Sequence, residues 1–181
     1  GPFQSIADER SAAKADLVHT SRVAPQLYEN NCGIARVTFE QGAALRNEAV
    51  AVTQWDQRSC ADTTFIHELG HNFRSWHDRG TNNPTTHPNK PFYFGHGYKV
   101  FGVFKTVMSY GSFNEDQFVF SVPEGNCFGY ACGVPPNRTN SADNRRSVRN
   151  TMFLVSGYEG PFQHENIQIA PLPGECTDEG N

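Results

Sequence analysis

Apolar and polar residues follow one another in the first third of the chain in patterns that predict one helix and three strands. Residues 5–15 carry four Ala together with Glu, Lys and Arg and predict a short helix. Residues 15–19 predict the strand that follows it. Residues 33–39 and 49–55 hold β-branched residues in alternating or apolar runs and predict two further strands.

A second helical pattern begins at Asp62 or Thr63, either of which can cap a helix. Phe65, Ile66 and Leu69 then recur with the spacing of one helix face. The sequence therefore predicts an amphipathic helix here.

The second half of the chain shows weaker patterns. Residues 79–99 and 111–141 are rich in Gly, Pro and Asn and predict loops. Ser141 to Val155 predicts a closing helix that begins with Ser141 or Asp143 as its cap. Prolines in the tail from Gly157 predict an extended segment.

Strands followed by helices favour an α+β fold, with a small mixed sheet packed on the second helix and a loop-rich C-terminal subdomain. The length of 181 residues fits one domain. We expect an N-terminal subdomain over 1–77, a C-terminal subdomain over 78–156 and a tail over 157–181.

The stretch from His67 to Asp78 carries the clearest chemistry: His-Glu-Leu-Gly-His-Asn-Phe-Arg-Ser-Trp-His-Asp. His67 and His71 are four residues apart and share one helix face, so both imidazoles can reach one metal ion. Glu68 lies beside that ion, where a general base can take a proton from a zinc-bound water. Zinc lowers the pKa of that water from about 15.7 towards about 7.

A third ligand must come from beyond the helix. His77 lies six residues after His71, and a continued helix would carry it towards a different face. We therefore expect the chain to turn after about Phe73 and to bring His77 back to the metal. Asp78, His87 and His96 remain alternative third ligands.

This stretch, followed about thirty residues later by Val107-Met108-Ser109-Tyr110, resembles the metzincin zinc metalloproteases. The resemblance implies that Met108 forms a turn beneath the metal and that Tyr110 contacts zinc or stabilises the transition state. A phenol there could donate a hydrogen bond to the oxyanion. The plainer interpretations are a Met that fills a core gap and a Tyr bonded to the backbone.

The sequence departs from the metzincin pattern at Arg74, because the family normally has Gly at the turn. An Arg can adopt the left-handed conformation at a cost of about 1–2 kcal/mol. Further short runs resemble the reprolysin-like group and the bacterial peptidyl-Asp metalloendopeptidases. These runs are Ala15-Asp16-Leu17-Val18, Cys32-Gly33-Ile34-Ala35, His77-Asp78-Arg79-Gly80 and Ser141-Ala142-Asp143-Asn144.

The resemblance implies a zinc endopeptidase that hydrolyses internal peptide bonds and prefers acidic residues after the cut. That preference would require a cation in the substrate pocket, for which the candidates are Lys105, Arg138, Arg145 and Arg146. Two alternatives stay open: an inactive zinc-binding homologue that serves as a protein-binding module, and a toxin protease with one narrow target. The expected cofactor is one catalytic Zn²⁺, and no sequence feature indicates calcium.

Composition and cysteine content indicate which partners and which cellular location to expect. A net charge of −4 argues against nucleic-acid binding, and no apolar run approaches the roughly 20 residues of a membrane span. The partners we expect are protein or peptide substrates, and we expect a monomer. Of the five cysteines, we predict the bridges Cys32–Cys60 and Cys127–Cys132, with Cys176 in the tail. Disulfides predict a secreted, extracellular protein.

Overall fold

The computed structural model describes residues 2–22, 32–37, 49–54, 60, 63–81, 92–111 and 115–158. Cys176, the tail from residue 159 and His87 lie outside these described residues. Within them the chain forms three helices and eight strands. The helices are α1 (Pro2–Ala12), α2 (Thr64–Asn72) and α3 (Asn144–Val155). The strands are β1 (Val18–Arg22), β2 (Gly33–Ala35), β3 (Val50–Gln54), β4 (Lys99–Val100), β5 (Phe104–Thr106), β6 (Glu115–Gln117), β7 (Val122–Cys127) and β8 (Tyr130–Cys132).

The N-terminal sheet has the strand order β1-β3-β2, with β1 parallel and β2 antiparallel to β3. Its central strand β3 is buried, as its apolar run predicts, and α2 packs against β3 and β2. The Asn72 amide ties α2 to this sheet by donating to the carbonyl of Val50 over 3.3 Å. The prediction of a small mixed sheet packed on the second helix is confirmed.

Strand β1 begins three residues later than the predicted strand at 15–19. The guanidinium of Arg10, which is 1% exposed, donates to the carbonyls of Ala15 and Asp16 at 3.3 Å each. These hydrogen bonds engage the carbonyls of the link between α1 and β1, and strand pairing starts at Val18.

The C-terminal half contains short strands that the sequence prediction did not include. Strands β4, β5 and β6 form one small sheet, and β7 and β8 form a hairpin. With two to six residues each, they are too short to show a periodic pattern. Packing stabilises them instead: Phe104 is fully buried and forms a cluster with Cys127 and Cys132.

The C-terminal end of helix α3 packs against the N-terminal part of the domain. The Asp143 carboxylate accepts a hydrogen bond from the backbone N–H of Arg146 over 3.0 Å, which confirms Asp143 as the helix cap. At the other end, Val155 and Tyr158 pack with Ala49, with Leu17 and Phe73 against them. This cluster places the C-terminus of α3 beside the end of α2.

Both predicted disulfides are present, Cys32–Cys60 and Cys127–Cys132. The first bridge links β2 to the segment just before α2, and the second closes the β7–β8 hairpin. Among the described residues, no helix has the length and apolar character needed to cross a bilayer.

Candidate metal centre

Three histidine side chains converge at the end of α2. The Nε2 atom of His77 lies 3.0 Å from the Nε2 atom of His67 and 3.0 Å from that of His71. Among the described residues, these three histidines form the one group of His, Cys, Asp or Glu side chains arranged to hold a metal ion. The helix supplies the first two because residues four apart lie on the same face.

His77 reaches the other two because α2 ends in a Schellman turn. The N–H of Ser75 donates to the carbonyl of Gly70 and the N–H of Arg74 to that of His71, both over 2.9 Å. Such a turn requires a left-handed residue at the Arg74 position, and Arg74 has φ = 61°. The predicted turn after Phe73 is therefore confirmed, with an arginine in the conformation that usually favours glycine.

Two of the imidazoles are oriented by backbone carbonyls. The Nδ1 atom of His67 lies 2.7 Å from the carbonyl oxygen of Val107, and that of His71 lies 2.9 Å from the carbonyl oxygen of Ser75. A carbonyl only accepts, so both Nδ1 atoms carry the proton and both Nε2 atoms present a lone pair.

Burial keeps these rings neutral. It lowers the pKa of His67, an effect that the Val107 hydrogen bond opposes and the charge of Lys105 reinforces. Burial, together with the neighbouring His67 and His77, lowers the pKa of His71 well below its ordinary value. Neutral imidazoles are the form that binds metal at neutral pH.

The donor set fits a zinc ion. The Nε2 lone pairs of His67 and His71 both face Nε2 of His77. A proton on that nitrogen could be donated to only one of the two lone pairs. A cation between the three nitrogens satisfies all of them. Three protein nitrogens with a further position left open are the ligand set of catalytic zinc sites.

Glu68 is a buried carboxyl group next to the histidines. It is 5% exposed, and burial raises the pKa of Glu68 to about 7. A divalent cation bound by the histidines would act in the opposite direction and favour the carboxylate. Gly33 of β2 packs directly against this side chain, since a Cβ atom on Gly33 would lie 2.5 Å from Oε1 of Glu68.

The ring of Tyr110 covers the other side of the histidine cluster. Its centroid lies 4.3 Å from that of His77 and 5.3 Å from that of His67. Burial, and then the charge of Glu68, raise the pKa of Tyr110, so its hydroxyl stays protonated and can donate. About half of the residue is exposed, so it lines the open side of the site rather than the core.

Met108 is fully buried and packs under α2 at Gly70. A Cβ atom on Gly70 would lie 2.5 Å from the Met108 sulfur, so the helix approaches the methionine more closely than any other residue type would allow. The structure thus brings Met108 beneath the helix that carries His67 and His71.

The alternative third ligands are placed elsewhere. The carboxylate of Asp78 faces away from the cluster and accepts from Lys99 Nζ at 2.7 Å and from the backbone N–H of Tyr110 at 3.1 Å. His96 is fully buried on the far side of the His77 backbone. His87 lies outside the described residues.

Three contacts that shape this site were not predicted from the sequence. Gly33 against Glu68 joins residues 35 positions apart, and no local pattern marks such a glycine. Asp78 also accepts from Thr81 Oγ1 at 2.8 Å, and the Lys99 ammonium donates to the Tyr110 carbonyl at 2.9 Å. The Asp that follows the third histidine was the available signal, but Lys99 and Tyr110, which it contacts, lie 21 and 32 residues further along the chain.

Comparison with known proteins agrees with this geometry. Residues 2–78 match the model of the reprolysin-like metallopeptidase family M12B. The chain is 31% identical over 155 residues to a peptidyl-Asp metalloendopeptidase of Xanthomonas campestris pv. campestris, a match covering 79% of this chain and 34% of the relative. A peptidyl-Asp metalloendopeptidase of Stenotrophomonas maltophilia is 28% identical over 161 residues, with the same coverage of 79% and 34%.

The chain therefore spans about a third of the length of these curated relatives. A chain in a solved chaperone–substrate complex shares the fold, with a TM-score of 0.58 and 19% identity over 85% of this chain and 23% of the other. The resemblance to the reprolysin-like and peptidyl-Asp metalloendopeptidase group is confirmed, and so is the metzincin-like α+β fold.

Proposed function

We propose that this chain is the catalytic domain of a zinc-dependent endopeptidase that hydrolyses internal peptide bonds. The observation that carries the proposal is the convergence of three Nε2 atoms, 3.0 Å apart in two of the pairs, beside the buried carboxyl group of Glu68. The similarity to peptidyl-Asp metalloendopeptidases supports the same function.

In this proposal His67, His71 and His77 hold one zinc ion. When bound, zinc supplies the positive charge that polarises the scissile carbonyl and makes water acidic enough to ionise near neutral pH. Glu68 takes the proton from the attacking water and delivers it to the leaving amine as the peptide bond breaks.

The surrounding side chains complete the site. The protonated hydroxyl of Tyr110 donates to the oxyanion that forms on the scissile carbonyl. The contacts of its ring with His67 and His77 support this role, because they bring the phenol next to the proposed zinc ligands. Met108 supports α2 from below through its contact with Gly70.

A preference for acidic residues after the cut belongs to the same proposal and is supported by the names of the two relatives. Of the candidate cations, Arg145 forms an ion pair with Glu124 at 2.7 Å, and Arg146 lies 5.0 Å over the ring of Phe94. Lys105 also forms an ion pair, with Asp116 at 3.1 Å, but its positive charge lies close enough to the metal centre to lower the pKa of His67. We infer that Lys105 is the cation that attracts the acidic side chain.

The alternative functions have less support. A protein-binding homologue without activity would not need Glu68, yet this carboxyl group is held in place by Gly33. No contact among the described residues favours a toxin with one narrow target. The two disulfides support an extracellular location, and we propose a monomeric domain acting on protein or peptide substrates.

The deciding experiment compares wild-type protein with Glu68→Ala and His77→Ala. Loss of a general base lowers kcat by about 10²–10⁴-fold, so Glu68→Ala should become inactive while zinc stays near one ion per chain. His77→Ala should lose both zinc and activity. Hydrolysis of a quenched peptide library and elemental analysis provide the two readouts. Activity in Glu68→Ala, or a wild-type protein that binds zinc and cuts nothing, would refute the proposal.

A further inference from the structure

The peptide group that joins His77 to Asp78 is held from both sides. The Nδ1 atom of His96 lies 2.9 Å from the carbonyl oxygen of His77. On the other side, the N–H of Asp78 donates to the carbonyl of Met108 over 3.2 Å. Because a carbonyl cannot donate, His96 carries its proton on Nδ1 and acts as the donor.

His96 is itself fixed in the fold. The segment around it pairs with Trp76, whose N–H donates to the carbonyl of Gly95 over 2.7 Å and whose carbonyl accepts from the N–H of Gly97 over 2.9 Å. Ser121 Oγ lies 2.6 Å from the carbonyl oxygen of His96, and the N–H of Asn144 donates to Ser121 Oγ over 2.8 Å. His96, Ser121 and Asn144 are all fully buried.

The hydrogen bonds around His96 fix the backbone of His77, which the helix does not. His67 and His71 are fixed by helix hydrogen bonds, but His77 lies beyond the left-handed turn at Arg74, where no helix fixes the backbone. The ring of His77 can meet the other two only if its peptide plane has one orientation. The donor on His96 and the carbonyl of Met108 specify that orientation.

We propose that His96 is a positioning residue for the third histidine. It lies behind the His77 backbone, touches no substrate, and acts by preorganising the ligand set for zinc. The inference rests on the proposed metal centre and adds to it a residue that holds the centre together without binding the ion.

The test compares His96→Leu, which removes the donor and keeps apolar bulk, with His96→Asn, whose amide can place an N–H near the position of Nδ1. Zinc affinity of the full chain is measured by competition with a chelator, and the visible spectrum of the Co²⁺-loaded protein reports the ligand geometry. Loss of an outer-shell partner typically lowers metal affinity about 10–100-fold. We expect a loss in that range and an altered Co²⁺ spectrum for His96→Leu, with both restored towards wild type in His96→Asn.

His19→Leu is the matched control, since His19 contacts Thr53 Oγ1 at 3.1 Å in the N-terminal sheet, outside the proposed ligand set. It should leave zinc affinity and the Co²⁺ spectrum unchanged. Wild-type affinity and spectrum in His96→Leu would overturn the proposal, as would equal losses in His96→Leu and His96→Asn. If His96→Leu does not fold, Ser121→Ala decides: it frees the His96 carbonyl and should weaken zinc binding, and unchanged affinity would overturn the proposal.

The outcomes separate this inference from the proposed function. A wild-type protein that binds zinc but cuts no peptide would refute the endopeptidase proposal and leave the His96 test intact. A His96→Leu protein that keeps both zinc affinity and proteolysis would refute the positioning role and leave the endopeptidase proposal intact.

Discussion

Gly33→Ala tests the site without altering a proposed zinc ligand or the proposed general base. The new Cβ atom would lie 2.5 Å from Oε1, 2.6 Å from Cγ and 2.8 Å from Cδ of Glu68. Nonbonded carbon atoms prefer separations of about 3.5–4.0 Å, so the carboxylate must move by about 1 Å. Three atoms of the side chain are involved, and rotation of its end alone cannot relieve the contact.

The expected effect falls on catalysis more than on folding. Misplacement of a reacting group by about 1 Å can cost about 10²-fold in rate, so kcat should fall by about that factor. Ala in a strand is favoured over Gly by roughly 0.5–1 kcal/mol, which partly offsets an overpacking cost of about 1–3 kcal/mol. We expect a net destabilisation of about 2 kcal/mol or less, with zinc content unchanged.

The assay measures kcat on a quenched peptide, zinc per chain by elemental analysis, and unfolding by denaturant. Ile34→Ala is the control, because Ile34 lies in the same strand and is 50% exposed. It should retain wild-type kcat. If Gly33→Ala also keeps wild-type kcat while Glu68→Ala is inactive, the close contact does not position the base and the reasoning is wrong.

Three further changes have defined outcomes. Burial alone would raise the pKa of Asp78, but hydrogen bonds from Lys99 and neighbouring groups outweigh it and lower that pKa. Asp78→Asn should therefore lower the free energy of unfolding by about 1.5–3 kcal/mol at pH 7. The difference from wild type should disappear as acid protonates the wild-type carboxylate. Lys105→Gln should abolish the preference for acidic residues in a peptide library while leaving cleavage of neutral peptides intact. Removal of the Cys32–Cys60 bridge, which has a sequence separation of 28, should lower the free energy of unfolding by about 3.6 kcal/mol. Removal of the Cys127–Cys132 bridge, which has a separation of 5, should lower it by about 2.1 kcal/mol.

Each of these has a result that contradicts it. A stability difference between wild type and Asp78→Asn that persists in acid would show that the charge of Asp78 is not what stabilises the fold. An unchanged library profile in Lys105→Gln, or the same loss of preference in the control Arg145→Gln, would remove Lys105 as the specificity residue. Denaturation midpoints that fall more for the hairpin bridge than for Cys32–Cys60 would contradict the loop-entropy argument.

The local part of the site followed from the sequence. The four-residue spacing of His67 and His71, the turn after Phe73 and the two disulfide pairs were all predicted and are confirmed. Helix periodicity couples residues three and four apart, so a single stretch of sequence reports which side chains share a face. The resemblance to metzincins, which normally have Gly at this turn, implied a left-handed residue at Arg74, and Arg74 has φ = 61°.

The rest was decided by tertiary packing. The carbonyl of Val107 orients His67 from 40 residues away, Gly33 of β2 packs against Glu68 of α2, and His96 donates to the carbonyl of His77. The short strands of the C-terminal half depend in the same way on a buried Phe104 cluster. Such contacts join residues that are far apart in sequence, and no local sequence pattern marks the two partners. Helix periodicity places His67 and His71 on one face, whereas the position of His77 and the exact placement of all three rings depend on close packing between distant segments.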